Sequence, residues 1–139
     1  MTMNGILAGL VSITAGADVI NPMDAVIIGL IGGVIVVLGV IALDKCRLDD
    51  PVGAVSVHLF CGIWGTLAVG LFGALASFQQ LWIQLQGIVI IAISCIIFCY
   101  AVVKTIQKCF GIRVSAEEEL MGLDRAEHQM IRLDVKAPN

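Results

Sequence analysis

The stretch Asp49-Asp50-Pro51-Val52-Gly53-Ala54-Val55-Ser56-Val57-His58-Leu59-Phe60-Cys61-Gly62-Ile63-Trp64-Gly65-Thr66 decides how this chain is read. It places one imidazole, His58, inside sequence that carries no Asp, Glu, Lys or Arg from Pro51 to Val103. Such a run is long enough to cross a bilayer twice. A full charge at membrane depth costs about 2.5–3.5 kcal/mol on insertion scales, so titratable groups there usually face a partner, a cavity or a permeation path. An apolar setting disfavours imidazolium, and the neutral ring offers one donor and one acceptor, which suits a small polar molecule better than a cation.

The rest of the chain fits that reading. It is 59% hydrophobic and 14% charged, against about 45–50% and about 25% in soluble domains, and its mean hydropathy is +1.01. The excess is concentrated in long uncharged runs such as the 19 residues Ala25–Leu43, which places the chain among integral membrane proteins. A net charge of −3 sits almost wholly in one loop and the tail. No basic patch with interleaved aromatics supports nucleic-acid binding. The five cysteines, Cys46, Cys61, Cys95, Cys99 and Cys109, form no CxxC pairs and read as free structural thiols. No cofactor is implied.

Four apolar segments follow one another, at about 3–17, 23–43, 51–75 and 81–103. The first begins with no polar lead-in, as a fragment or a truncated reading frame would. Its Gly5 and Gly9 have the spacing that lets helix backbones touch in lipid, although glycines are common in membrane helices generally. Asn21-Pro22-Met23-Asp24 combines an N-cap, a proline at the first helical position and an acid at the positive end of the dipole. Asp50-Pro51 repeats that start for the third segment, and Gly29, Gly32 and Gly33 are expected on a packing face of the second. Lys45 and Arg47 follow the second segment and Lys104, Lys108 and Arg113 the fourth, whereas the other two connections carry no cation. The positive-inside rule then puts the charged loop and the C-terminus in the cytoplasm. The domain organisation is a transmembrane part over 1–110 and a cytoplasmic tail over 111–139. In the tail, Ser115-Ala116-Glu117-Glu118 has the capping-box pattern.

On an α-helix His58 stacks over Gly62 and Gly65, bordered by Cys61 and Val69. Two readings of this stripe stay open from the residues alone: a buried histidine bonded to a neighbouring helix, or an imidazole facing a small solute. A metal role is weaker, since His58 and Cys61 supply two ligands where a catalytic zinc needs three. No spacing indicates nucleophilic catalysis.

Several motifs in order carry a resemblance. They are Asn4–Gly16, Asp49–His58, Cys61–Leu67, and in the tail Gly111-Ile112-Arg113-Val114-Ser115, Glu117-Glu118-Glu119, Gly122-Leu123-Asp124 and Glu127-His128. Together they resemble the ammonium transporter (Amt/Rhesus-type) family. The resemblance implies an all-α, polytopic membrane helix bundle. This chain would be the last part of an eleven-helix fold, about three and a half transmembrane helices plus the tail, at the cell membrane and within a homotrimer with one pore per subunit. It implies no enzymatic activity.

By the same resemblance His58 matches the second of two pore histidines and Thr14 a position near the pore wall. Gly111, Arg113, Glu117 and Asp124 match tail residues that contact the membrane domain, where PII-type regulatory proteins dock in some members. The implied mechanism is deprotonation of ammonium at the outer mouth and passage of neutral ammonia down an apolar lumen, with the twin histidines replacing part of the lost hydration. The chain alone, lacking the first histidine and the outer site, is expected not to transport. The alternative is a membrane-embedded structural or regulatory piece. Two departures stand out. Leu59-Phe60 follows the histidine where the family usually has Gly-Val, and Gln129-Met130-Ile131-Arg132 stands where it often has Gly-Glu and an aromatic.

Overall fold

Long runs of apolar residues with few polar breaks satisfy their backbones in lipid within a single segment by winding into helices. In the computed structural model, which describes residues 1–128, they do so in the order α1 (Thr2–Thr14), α2 (Pro22–Lys45), a π-helical turn (Val55–Phe60) that continues into α3 (Cys61–Leu71), and α4 (Phe78–Phe110). Two short tail helices follow, α5 (Ala116–Met121) and α6 (Leu123–His128). The all-α class expected from sequence is what the described residues show, with no strand among them. The chain divides into two units, Met1–Ser94 and a second beginning at Cys95.

Local chemistry explains most helix ends. Asn21 Oδ1 accepts from the amides of Met23 and Asp24, both at 3.0 Å, with Pro22 behind it, so α2 starts where its cap dictates. Helix α4 runs past the expected Val103 to Phe110 because nothing breaks it before Gly111. That glycine has φ +68° and donates its amide to the Gln107 carbonyl at 3.2 Å. Helix α1 stops at Thr14, short of residue 17, as Ala15–Val19 tightens into turns around Gly16. The third segment is shorter than expected at both ends. Gly53 (φ +75°) turns the chain before it, and Gly73 (φ +79°) follows its last residue, Leu71. Two helices, Pro22–Lys45 and Phe78–Phe110, are long and apolar enough to cross a membrane, while α1 and Val55–Leu71 are shorter.

Within the first unit the helices meet through small residues. Ser12 of α1 is fully buried, and its hydroxyl donates to the Ala8 carbonyl at 2.7 Å. A methyl group on Gly32 of α2 would strike the Ser12 hydroxyl, and one on Gly65 of α3 would strike the Ser12 carbonyl. Gly9 and Gly29 also face each other closely, whereas Gly5 and Gly33, which share the sequence pattern, have open space above them. Ala8, Val36, Val57 and Cys61 form the apolar core at this crossing.

The order of contacts fixes direction. Asn4 meets Gly53, Val11 meets Gly62, and Ser12 meets Gly65, so α1 and the third segment run parallel. Trp64 Nε1 donates to the Ile28 carbonyl at 3.1 Å, Cys61 Sγ lies 3.5 Å from the Gly32 carbonyl, and Phe60 covers Gly39. The third segment is therefore antiparallel to α2. At one end of the unit the two cation-free connections bond to each other, the Ala74 amide donating to the Val19 carbonyl at 3.0 Å.

No residue of α4 is buried, and isoleucines 90, 91, 96 and 97 along it are all exposed. An apolar helix face of this kind needs lipid or neighbouring helices around it.

Replacing Gly65 with Ala should destabilise the detergent-solubilised protein by about 1–3 kcal/mol, because the obstacle is backbone that cannot swing away. The same change at Gly33 should leave the melting temperature nearly unchanged. Melting curves of the two variants provide the check.

Candidate functional site

His58 sits on the π-turn, and the turn changes where it points. An α-helical register would put it over Cys61 (i+3), Gly62 and Gly65. Instead the side chain is exposed while Ser56, Val57, Cys61 and Gly65 around it are buried. The stripe expected from sequence is therefore split. Cys61, Gly65 and Val69 are buried in the bundle, Gly62 is half-buried near Val11, and His58 is exposed. The cause is the i→i+5 winding from Val55 to Phe60, which adds backbone to one turn and rotates what precedes it.

The turn is anchored along its length. Asp50 was expected to cap a helix starting at Pro51. The structure corrects this, because the carboxylate reaches over Pro51–Gly53 to the turn itself. Oδ1 accepts from the Val55 amide at 3.1 Å, and Oδ2 accepts from the Ser56 amide at 3.0 Å and the Ser56 hydroxyl at 3.1 Å. Partial burial works against the charge. The amides of Ser56, Val55 and Ala54 and the Ser56 hydroxyl outweigh it, holding the carboxyl below the ordinary aspartate value of 3.8. Further on, the Cys61 thiol lies 3.7 Å from the Ser56 carbonyl. The Phe60 ring occupies the notch above Gly39, where a Cβ would stand 2.6 Å from it. Leu59, the other departure from the family pattern, is half exposed at 50%.

Thr14 lies near the end of α1, its hydroxyl donating to the Leu10 carbonyl at 2.7 Å. By the parallel register His58 is level with about Ala8, so Thr14 is roughly 9 Å further along the axis at 1.5 Å per residue. The fold does not bring these two side chains together. Among the described residues no three His, Cys, Asp or Glu side chains gather as metal ligands, and all five cysteines are free.

In the tail, Gly111 terminates α4 with open space where a Cβ would go. Arg113 pairs with Glu119, Nη2 lying 2.7 Å from Oε1 and 2.9 Å from Oε2, with both side chains well exposed. The capping box forms as the sequence indicates. The Ser115 amide donates to Glu118 Oε2 at 2.9 Å and the Glu118 amide to Ser115 Oγ at 3.3 Å, and the Ser115 bonds lower the Glu118 pKa. Glu117 is exposed in the first turn of α5. Asp124 lies on α6, but its side chain, like residues 129–139, is outside the described part.

Sequence reasoning missed the π-turn, the reach of Asp50 and the Trp64 anchor. The last had a signal, since an indole N–H in an apolar run needs an acceptor. The first two had none, because nothing local distinguishes an i→i+5 from an i→i+4 turn.

Residues 1–132 match the model of the Ammonium Transporter Family. Ammonium transporter Amt2 of Methanocaldococcus jannaschii is 41% identical over 134 residues, covering 93% of this chain and 32% of that protein. Ammonium transporter Amt2 of Archaeoglobus fulgidus is 39% identical over 148 residues, covering 94% and 32%. A solved structure titled Sensor Amt Protein superimposes with a TM-score of 0.69 at 34% identity, covering 89% of this chain and 33% of that one. The chain thus spans about a third of the length of each of these relatives.

The lowered pKa of Asp50 gives a pH signature. Its contribution to stability is fully present above 3.8, the ordinary value, and is lost as pH falls through the lower folded value. The melting-temperature gap between the native protein and Asp50→Asn should be widest near neutral pH and close below that point.

Proposed function

Since this chain belongs to the ammonium transporter family, we propose that it forms one wall of a transmembrane path for ammonia, with His58 as a lining residue. One observation carries the reading. The one imidazole in Pro51–Val103 is exposed, while Ser56, Val57 and Cys61 beside it are buried. Moving bare ammonium through hydrocarbon is prohibitive. A neutral imidazole supplies one donor and one acceptor to an ammonia molecule stripped of water, so a proton left at the outer mouth lets the neutral species pass. Thr14, a level further along, leaves its oxygen lone pairs for a second polar contact.

The remaining walls come from outside these residues, so the chain by itself should show no methylammonium uptake. By likeness to the family the assembled unit is a homotrimer in the cell membrane. The bond between the two cation-free connections supports one orientation, with both on the outer side and Lys45, Arg47 and the tail in the cytoplasm. The tail residues Gly111, Arg113, Glu117 and Asp124 are proposed as regulatory contacts, with a PII-type protein as partner.

In the full-length transporter that carries this segment, His58→Ala should lower methylammonium uptake by roughly tenfold or change its selectivity over ammonium, about the barrier cost of one lost hydrogen bond. Unchanged uptake and selectivity would overturn the pore role. Orientation is testable through Cys46, which is exposed in the charged loop. With it as the sole cysteine, a membrane-impermeant maleimide should label inside-out vesicles and not intact cells.

A further inference from the structure

If His58 is a lining residue, the fold must hold it outward. A π-turn is rare and is expected to relax to α unless its surroundings hold it. In an α-register here, His58 would fall on the stripe of Cys61 and Gly65. Both are fully packed, Gly65 directly against the Ser12 carbonyl. The imidazole would then be driven into the crossing of α1 and α3, with no room for it or for a solute beside it.

Two of the anchors act on the far half of the turn: Phe60 over Gly39, and the Cys61 thiol near the Ser56 carbonyl. At the near half the backbone amides are of the kind that a helix start leaves without intrahelical partners. Here they are met by one side chain. Asp50 takes the Val55 amide on one oxygen and the Ser56 amide and hydroxyl on the other. The intervening Pro51–Gly53 bridge closes through the Gly53 amide on the Asp50 carbonyl at 3.0 Å, and the Val57 amide then takes the Gly53 carbonyl at 2.8 Å. Gly53 is left-handed, and a side chain there would strike the Asn4 amide, so the bridge has little latitude. The fork is therefore set by geometry on both sides.

We propose that Asp50 is the positioning residue for His58: its forked carboxylate fixes the start of the π-turn and thereby aims the imidazole away from the packed stripe. The proposal rests on the pore reading above, and the two are separable by experiment. Asp50 lies eight positions from His58 and acts only through the backbone it holds. Its loss should be felt as a change in what His58 does. Asn at this position keeps one acceptor oxygen but turns an NH2 toward amide donors, so it should act as a partial loss.

The test is a double-mutant cycle in the full-length transporter, using methylammonium uptake per folded molecule and the ratio of methylammonium to ammonium transport. Asp50→Ala and Asp50→Asn are each combined with His58→Ala, and Asp49→Asn, at an exposed neighbour, is the control. Asp50→Ala is expected to lower uptake about tenfold and shift the transport ratio, with Asn intermediate. Neither change should have further effect once His58 is Ala. If Asp50→Ala does not accumulate in the membrane, the Asn variant, close to isosteric, carries the cycle. A normal rate and ratio in both variants, or losses that add to that of His58→Ala, would overturn the positioning role while leaving the pore role standing. An inert His58→Ala would overturn both.

Discussion

Three helices of this chain meet at one serine. Ser12 is small enough to lie between Gly32 and Gly65, and its hydroxyl is returned to its own helix at Ala8, so nothing polar is left unpaired at the crossing. In lipid no hydrophobic force draws helices together, and close van der Waals packing has to do so. A side chain at either glycine would separate the backbones, and with them the register of α1, α2 and the third segment. The parallel and antiparallel relations and the level of His58 follow from that contact together with those of Asn4 with Gly53, Val11 with Gly62 and Trp64 with Ile28.

Three polar side chains elsewhere in this unit do find partners inside the protein. The Trp64 indole reaches across to the Ile28 carbonyl, Asn21 closes the start of α2, and Asp50 closes the start of the π-turn. His58 is different. Ser56, Val57 and Cys61 beside it are buried, and His58 itself is exposed. On the reading proposed for this chain, that exposed imidazole is where a passing ammonia molecule is met.

The apolar flanks of α4 make the complementary point. A helix with no buried residue over its whole length cannot be stabilised by this unit alone. Its surroundings, lipid or further helices, belong to its folding as much as its sequence does.

Much of this was legible in the sequence. Four apolar segments, the Asn21 cap, the Ser115 capping box and the cation bias of alternate connections are local properties of hydrophobicity and i,i+3 spacing, so the chain carries them without reference to its partners. Which glycines would touch was not legible: Gly9, Gly29 and Gly32 pack while Gly5 and Gly33 in the same pattern do not. Nor was the aim of His58. The sequence by itself determined that a lone imidazole would lie in an apolar helix; only the tertiary structure decided that it would face outward. An α-turn and a π-turn differ by one step in hydrogen-bond register, and groups distant along the chain or across it, at Asp50, Gly32 and Gly39, select between them.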